Sequence, residues 1–537
     1  MQQSFPLRGN ADSGSVCQGR TSVASAKEVA SIGCMRRDPE PAVTVVCRLS
    51  PRLRVAQCGN AAWLIATRPL RLLRVQPRVV KLLERLRVDP DVGRVVKSFP
   101  DLRWGTVIPF LERLADEGLV RLVWSLPDEM LPSVSVVIPV RNRPAQLNAC
   151  LAALERLDYP RERLEVLVVD DASSDDTVAR AETWRNRLPL RVIRLPVPVG
   201  AAACRNHGAE LARGDILAFT DSDCRPHPRW LRELVPEFVR SGVVAVGGAV
   251  LPADNESWLD RYEAVESPLT HGPEPARVQP RSAVPYLVTA NLLVRRRALL
   301  EIGGFARIHP GEDVDLVWRL CERGGRILYR PAGIVLHDHR DRLWPFLRRR
   351  AAYASSEVVL VRRHPHARHR MTVPVAMLAS IGCGIGAGRQ RGLVILAVLP
   401  LLADVLVALQ RIRRLRAPVS LGELVLAEFR GMLVACYWIG RTISRYYSWP
   451  ALVAGVLFRR RGFGRWLSVL AGASLLGTAS IDYIRKRPSL DPVRFLLAHL
   501  CDDLANNAGL LVGCLRSGTI RPLLVELSLY WPRLEKS

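Results

Sequence analysis

Two carboxylates one residue apart end an apolar run in the stretch "LAFTDSDCRP", residues 217–226. Side chains alternate along a strand, so Asp221 and Asp223 share one face and converge where the strand ends. Paired acids repel each other unless a hard divalent cation binds between them, and carboxylate oxygens are ligands that such a cation prefers. The spacing therefore predicts a metal site, with an acidic solvated turn as the alternative.

A second acidic pair, Asp170 and Asp171, ends the apolar run "LEVLVVDD". Both runs belong to a stretch in which apolar strands alternate with amphipathic helices from residue 134 to about residue 340. This alternation predicts an α/β domain with a mostly parallel, Rossmann-like sheet. Ligands of such sheets bind at the carboxyl ends of the strands, so both acidic pairs are expected at one site.

Composition narrows the classes of partner. The chain has 537 residues and a formal net charge of +26, and almost all of its basic residues are arginines spread over the whole length. Aromatic residues make up 6%, and no stripe alternates basic with aromatic residues as in single-strand binders, which argues against nucleic acid. Basic clusters beside apolar C-terminal segments favour a membrane surface instead.

The cysteines and the N-terminus indicate the compartment. The 12 cysteines include no CxxC pair, so neither a zinc site nor a disulfide scaffold is expected. Residues 1–30 lack the apolar core of a signal peptide. A reducing cytoplasm is the simplest location for the catalytic unit.

Shifts in pattern divide the chain into five parts. Residues 1–60 are expected to be disordered or an extension. Residues 61–131 contain two helical patterns and a strand and predict a small winged-helix-like module, either a packing appendage or a peptide-recognition module. Residues 132–345 form the α/β domain, 346–370 a basic juxtamembrane segment, and 371–537 an apolar helical region.

Two apolar segments, residues 372–388 and 393–409, predict a membrane hairpin with basic flanks. The basic residues 411–416 place its ends and the catalytic domain on the cytoplasmic side of the cell membrane. Residues 466–481 form a weaker third candidate span. Asp404 inside the second segment leaves helices lying in the membrane interface as the alternative.

Five motifs stand in an order that resembles glycosyltransferase family 2. They are "VSVVIPVRN", "VLVVDDASSDDT", "CRNHGAELARGDILAFTDSDC", "NLLVRRRALLEIGGF" and "GEDVDLVWRL", and they cover about residues 134–345. The resemblance implies a GT-A fold, a nucleotide-sugar donor, inversion at the sugar, and a divalent metal, Mg or Mn.

The resemblance also implies roles for the metal site. Asp221 and Asp223 match the family's DxD motif. Asp223 is expected to bind the metal directly, and Asp221 to contact the metal or the ribose of the donor. His337 in "VLHDH" lies where many relatives supply a further ligand, with His339 as the alternative.

Four further residues are candidates for binding the donor. Asp171 matches the acid that binds the base or ribose, while Pro139 and Asn142 open the loop that covers the base. Arg205 is expected either to contact phosphate or to pack against the surrounding loop, and the two interpretations are equally good.

The motif "GEDVDL" supplies the expected catalytic acids. Displacement at an anomeric carbon needs the attacking hydroxyl to lose its proton, which a carboxylate can accept as a general base. The family places this base at the second acid, here Asp313. Glu312 is expected to orient acceptor hydroxyls, and acids that stabilise a helix start are a compatible alternative.

The layout of the chain favours a small acceptor. The QxxRW motif of processive relatives is absent, and "RRRAAY", residues 348–353, stands near its place. The likeness to one branch of the family implies glucose from UDP-glucose and a small peptide-derived acceptor. A lipid-linked or cell-wall acceptor is the alternative, and a non-catalytic peptide- or membrane-binding protein is the second.

Overall fold

Three units follow one another along the chain in the computed structural model: an N-terminal unit, a unit around a nine-stranded sheet, and C-terminal helices. The structure describes residues 22–23, 43–58, 61–254, 256–338, 342–380 and 393–530.

The N-terminal unit contains two small sheets and three helices. Its strands are β1 (Ser22–Val23), β2 (Thr44–Leu49), β3 (Leu53–Cys58), β4 (Ala61–Thr67), β5 (Leu70–Val75) and β6 (Val120–Ser125). Its helices are α1 (Pro77–Val88), α2 (Val92–Lys97) and α3 (Trp104–Asp116). One sheet has the order β1-β5-β4-β3, and β2 pairs with β6 in the other.

The prediction that residues 1–60 are disordered or an extension is wrong for residues 44–58, which form β2 and β3. Val45 and Cys47 are buried on one face of β2 and pack on the helices of the unit. Six-residue strands carry too short an alternation to stand out beside arginine-rich neighbours. The predicted unit at residues 61–131 therefore starts earlier, and its role in peptide recognition stays a prediction.

The central sheet belongs to the predicted α/β domain. Its strands are β7 (Val134–Val140), β8 (Leu164–Asp170), β9 (Leu190–Arg194), β10 (Ile216–Phe219), β11 (Cys224–Pro226), β12 (Val243–Pro252), β13 (Ala276–Val278), β14 (Leu292–Arg295) and β15 (Arg326–His337). The helices are α4 (Pro144–Glu155), α5 (Thr177–Glu182), α6 (Ala201–Leu211), α7 (Trp230–Leu234), α8 (Trp258–Glu266), α9 (Arg296–Glu301) and α10 (Glu312–Glu322).

The strand order is β11-β15-β12-β14-β10-β7-β8-β9, and β13 pairs with β15. Strands β9, β8, β7 and β10 run parallel, as the alternation of strands and helices predicts. Strand β14 is antiparallel to both β10 and β12, so the rest of the sheet is mixed. The predicted GT-A-type fold is confirmed.

Helices cover both faces of the parallel strands, so all seven residues of β7 are buried. Helix α6 lies close to the sheet because Gly208 faces Val137. A Cβ atom at Gly208 would lie 2.5 Å from a methyl group of Val137, closer than packing allows. This approach carries the side chains of α6 to the carboxyl ends of β7 and β10.

Buried ion pairs fasten the N-terminal unit to the amino ends of β12 and β15. Arg240 is fully buried and pairs with Glu112 at 3.0 Å, and Arg326 pairs with Glu112 at 2.6 Å and Asp116 at 2.8 Å. From Arg326 to His337, β15 extends roughly 35 Å. The N-terminal unit therefore lies at the opposite end of the sheet from the carboxyl ends of the strands.

The C-terminal part is helical. Its helices are α11 (Leu343–Arg363), α12 (Leu393–Leu415), α13 (Leu421–Thr442), α14 (Ser448–Leu457), α15 (Gly462–Lys486) and α16 (Pro492–Ser517). A π-helical turn, Ile443–Tyr447, joins α13 to α14. Strand β16 (Arg370–Pro374) pairs in parallel with β17 (Glu526–Tyr530).

The predicted membrane hairpin is wrong at its start, because residues 370–374 form β16 and pair with β17. Residues 381–392 of the hairpin lie outside the described residues. The second segment forms the first part of α12. Among the described residues, one helix, α15, is long and apolar enough to cross a membrane, and it contains the segment predicted as the weaker third span.

Helix α11 crosses the predicted boundary at residue 345, and it packs along α16. A Cβ atom at Gly509 would lie 2.0 Å from the carbonyl oxygen of Ala351, so the two backbones touch. Gly513 approaches Ser355 in the same way, one turn further along. Residues 346–363 therefore join the central unit to the C-terminal helices, and the basic juxtamembrane segment at residues 346–370 stays a prediction.

Candidate active site

A cavity of about 350 Å³ lies at the carboxyl ends of β7, β8 and β10. It brings together eight of the nine residues that the sequence predicts for the site: Pro139, Asp171, Arg205, Asp221, Asp223, Glu312, Asp313 and His337. These residues come from positions up to 198 apart in the chain, so the fold assembles the site from separate motifs.

Asn142 does not line this cavity. Its backbone has a left-handed conformation with φ of 51°, and its N–H donates to the hydroxyl of Ser173. The side-chain oxygen of Asn142 accepts from the N–H of Ser174. Asn142 therefore ties the loop after β7 to the loop after β8, and its contact with a donor base stays a prediction.

Asp223 and His337 both line the cavity and face each other. The Nε2 atom of His337 lies 3.7 Å from Oδ1 of Asp223, and the other oxygen of Asp223 pairs with Arg143. Burial alone would raise the pKa of Asp223, but the charges of His337 and Arg143 lower it below its usual value. The carboxylate is therefore ionised and close enough to the imidazole for one cation to bind both.

The donor set fits a divalent cation. Asp223, Cys224 and His337 each offer one ligand atom within 4.8 Å of the others. Burial raises the pKa of the Cys224 thiol well above its usual value, so the thiol stays protonated and is a poor ligand. Among the described residues, Asp223 and His337 are the candidate oxygen and nitrogen ligands. His339, the alternative to His337, lies outside the described residues.

Arg205 joins the two acidic motifs. Its guanidinium donates to Asp221 at 2.6 Å and to Glu312 at 3.0 Å, and the side chain is 4% exposed. Charged hydrogen bonds of this kind hold the DxD loop against the start of α10. The interpretation of Arg205 as a packing residue thus has direct contacts in its favour, and contact with phosphate stays a prediction.

Glu312 and Asp313 occupy different electrostatic environments at the first turn of α10. Burial alone would raise the pKa of Glu312, but the hydrogen bond with His309 and the charge of Arg205 lower it to about 2. Burial raises the pKa of Asp313 to about 6, and the charge of Glu312 adds to this effect. Asp313 accepts one hydrogen bond, from the N–H of Val314, and its side chain lines the cavity.

Asp171 holds the backbone at the start of α6. Its two oxygens accept from the N–H groups of Val199 at 2.6 Å and Gly200 at 3.1 Å. Asp170 is fully buried, accepts from the N–H of Ser173 and is not part of the cavity lining. Asp171 thus positions the loop that leads into the helix of Arg205, and its contact with a donor base or ribose stays a prediction.

The site includes residues that the sequence analysis does not assign to it. Arg143, His309, Arg349 and Tyr353 also line the cavity. The guanidinium carbon of Arg349 lies 5.9 Å from the ring centre of Tyr353, and both residues come from the "RRRAAY" stretch on α11. Arg143 directly follows the "RN" that ends the first motif. This position could have identified Arg143 as a second arginine of the site, besides Arg205.

Comparisons with known proteins identify the family of the chain. The sequence profile of glycosyl transferase family 2 matches residues 135–303. The pre-mycofactocin glycosyltransferase of Mycobacterium tuberculosis is 33% identical over 491 residues, which cover 88% of this chain and 95% of that protein. Glycosyltransferase AglE of Haloferax volcanii is 32% identical over 214 residues, covering 39% of this chain and 68% of that protein.

Among solved structures, mannosyltransferase PcManGT of Pyrobaculum calidifontis is 19% identical with a TM-score of 0.36, covering 58% of this chain and 88% of that one. The relative from M. tuberculosis matches across all three units, whereas the family profile matches the central unit alone. The chain is a member of glycosyltransferase family 2.

Proposed function

We propose that this glycosyltransferase moves glucose from UDP-glucose to a hydroxyl of premycofactocin, a small peptide-derived acceptor, with inversion at the anomeric carbon. The observation that carries the acceptor is the match to a pre-mycofactocin glycosyltransferase over 88% of the chain. A match confined to the central unit would support sugar transfer but not this acceptor, because family 2 enzymes share that unit.

Asp313 acts as the general base in this proposal. A base works best when its pKa lies near the working pH, and burial raises the pKa of Asp313 to about 6. Its neighbour Glu312 is held by Arg205 and His309, which leaves it ionised and unsuited to take a proton at neutral pH. Asp313 accepts the proton of the acceptor hydroxyl, and Glu312 keeps the turn in place.

The donor diphosphate lies near a group of cations in this proposal. Asp223 and His337 hold a divalent metal, Mg or Mn, with Asp221 beside them. Such a metal neutralises the charge that develops on the leaving diphosphate. Arg143 and Arg349 line the same cavity and supply further positive charge. Pro139 and Asp171 lie at the side of the cavity formed by β7 and β8, where the base of the donor binds.

The proposal includes attachment to the cytoplasmic face of the cell membrane. Helix α15 supports a membrane contact by its length and apolar composition. The catalytic unit then faces the cytoplasm, where nucleotide sugars are made available to it.

One assay tests donor and acceptor together. Purified enzyme with Mn²⁺ receives UDP-glucose, UDP-galactose or GDP-mannose in separate reactions with premycofactocin. Mass spectrometry detects the added hexose, and NMR of the product assigns its anomeric configuration. A β-linked glucose product from UDP-glucose, whose own linkage is α, supports both the donor and inversion. Absence of any glycosylated premycofactocin with all donors contradicts the proposed acceptor.

A lipid-linked acceptor is the second candidate, because many large apolar side chains of the C-terminal helices are exposed. The same assay with polyprenyl phosphate in place of premycofactocin distinguishes the two. Transfer to the lipid and not to premycofactocin would favour this alternative.

A further inference from the structure

Helices α14 and α15 form a hairpin, residues 448–470, whose outer surface is apolar. Leu457 is 73% exposed at the end of α14, and Phe463 and Trp466 are 68% and 74% exposed at the start of α15. Val456 and Val469 extend this surface along both arms. Exposed aromatic and aliphatic side chains this close together exceed what a water-facing surface usually shows.

Small residues bring the two arms together and leave the large ones outside. A Cβ atom at Gly455 would lie 2.0 Å from the hydroxyl of Ser468, and one at Gly464 would lie 2.2 Å from the carbonyl of Phe458. The arms therefore touch through their backbones. The apolar side chains point outward because the space between the arms is already full.

The tip of the hairpin is strongly basic. Arg459, Arg460 and Arg461 form the turn, Arg465 follows on the first turn of α15, and all four are exposed. Salt bridges between residues that the structure describes include none of these four arginines. Positive charge beside exposed tryptophan and phenylalanine is the pattern of a surface that meets anionic lipid headgroups.

The interior behind the hairpin is polar, whereas the interior of a protein that faces water is usually apolar. His499 is fully buried between Asp482 at 3.4 Å and Asp503 at 3.7 Å. Arg441 pairs with Asp503 at 2.6 Å, and Ser444 donates to the same carboxylate. In this helical unit the charged side chains are buried and the large apolar side chains are exposed. The outer surface is therefore suited to an apolar environment rather than to water.

We propose that hairpin 448–470 docks the enzyme on a bilayer of anionic phospholipids. Phe463, Trp466 and Leu457 enter the interfacial layer, and the arginines of the turn bind the headgroup phosphates. This inference deepens the membrane attachment proposed above by naming the surface and the lipid charge that it requires.

The dimensions of the α14 arm favour docking of the hairpin in one leaflet over crossing by both arms. A crossing helix needs about 20 apolar residues. Arg441 and Arg445 precede α14, so the uncharged stretch of that arm is residues 446–458, which is about two thirds of the length required. A crossing hairpin would also have to carry Arg459, Arg460 and Arg461 through the hydrocarbon layer, at high cost.

Vesicle sedimentation of the full chain tests the proposal. Vesicles contain phosphatidylcholine alone or with about one third phosphatidylglycerol. We expect binding to the anionic vesicles, with weakening as salt rises. The triple variant Arg459→Gln, Arg460→Gln, Arg461→Gln should lose on the order of 10²-fold in affinity, the combined effect of three basic residues near an anionic surface. The double variant Phe463→Ser, Trp466→Ser should lose at least about tenfold.

Matched controls come from other surfaces. Trp344 on α11 is 75% exposed, and the side chain of Arg297 on α9 is 90% exposed, so Trp344→Ser and Arg297→Gln remove the same residue types elsewhere. Both should bind vesicles as the parent protein does. All variants should keep their circular dichroism and their transfer to a soluble acceptor.

Three outcomes would overturn the assignment of the hairpin, and a fourth concerns membrane attachment itself. Hairpin variants that bind vesicles like the parent protein would place the contact elsewhere. A stable dimer that loses vesicle binding would show that a second copy covers the surface. Retention in membranes after an alkaline carbonate wash would show a crossing segment. A parent protein that binds no vesicles would contradict the membrane attachment, whatever the variants do.

Discussion

The guanidinium of Arg205 donates to the carboxylate of Glu312 across 3.0 Å, although 107 residues separate them in the chain. The same guanidinium reaches Asp221, so a single side chain connects the acids of the DxD loop with those of α10. The distance between the proposed donor site and the proposed base therefore depends on one buried cation.

Replacing Arg205 by Gln should destabilise the protein and lower its activity. Two carboxylates would lose their partner inside the protein, and breaking a buried ion pair costs about 3–5 kcal/mol. Thermal unfolding and initial rates measure the two effects. Arg297→Gln removes an exposed ion pair with Glu301 and should leave both unchanged. Normal activity of Arg205→Gln would show that the connection is not needed.

Asp313→Asn should reduce kcat by about 10²–10⁴, because the amide cannot accept the proton of the acceptor hydroxyl. The dissociation constant of the nucleotide sugar should change less than about tenfold, since a general base acts in the transition state. Calorimetry and steady-state kinetics on the same preparation separate these effects. If Glu312→Gln loses turnover and Asp313→Asn does not, Glu312 is the base.

The pH dependence of kcat/KM should contain an acidic limb near pH 6. Asp313 must be ionised to accept a proton, and burial raises its pKa to about 6, so the rate should fall as pH drops below this value. The limb should be missing in the residual activity of Asp313→Asn. A limb that persists unchanged in this variant would have to come from another group.

The raised pKa of Asp313 should also lower the stability of the folded protein at high pH, where Asp313 is ionised. Because the folded-state pKa of Asp313 is raised, its ionisation is more costly in the folded state than in the unfolded chain. The resulting loss of stability is absent below the unfolded pKa and develops as pH rises through both values. Asp313→Asn should therefore raise Tm at pH 7, and this gain should vanish near pH 3. An equal Tm gain at both values would point to a cause other than ionisation.

Removal of the metal should stop transfer. A chelator should abolish activity and Mn²⁺ should restore it, while Asp223→Ala should stay inactive at any Mn²⁺ concentration and bind the donor weakly, since it lacks a ligand. Glu301→Ala, an exposed acid on α9, serves as the control. Full activity of Asp223→Ala in the presence of chelator would contradict the metal site.

The sequence predicts which acids meet in one cavity because they stand directly after strands. Asp171, Asp221 and Asp223 follow apolar runs, and the carboxyl ends of parallel strands meet at one edge. Their partners could not be predicted in this way. The contacts of Arg205 with Glu312 and of Asp171 with Gly200 depend on how α6 packs, and spacing along the chain carries no information about that packing.

The C-terminal part shows where composition misleads. Residues 372–374 begin a predicted apolar span, yet they pair with residues 528–530, a partner more than 150 positions away. Similarly, β2 needs β6 to form a sheet. Pairing between distant segments decides these elements, and local hydropathy cannot reveal it.

The close contact of Gly509 with Ala351 has a practical consequence for making a soluble enzyme. Hydropathy suggests cutting the chain at residue 370, which should release it from membranes. Such a cut would strip α16 from α11, the helix that supplies Arg349 and Tyr353 to the cavity. It would also take Asp502 away from buried Arg350. Solubility is therefore better sought by changing the side chains of hairpin 448–470 than by shortening the polypeptide, because only the first approach leaves the wall of the cavity intact.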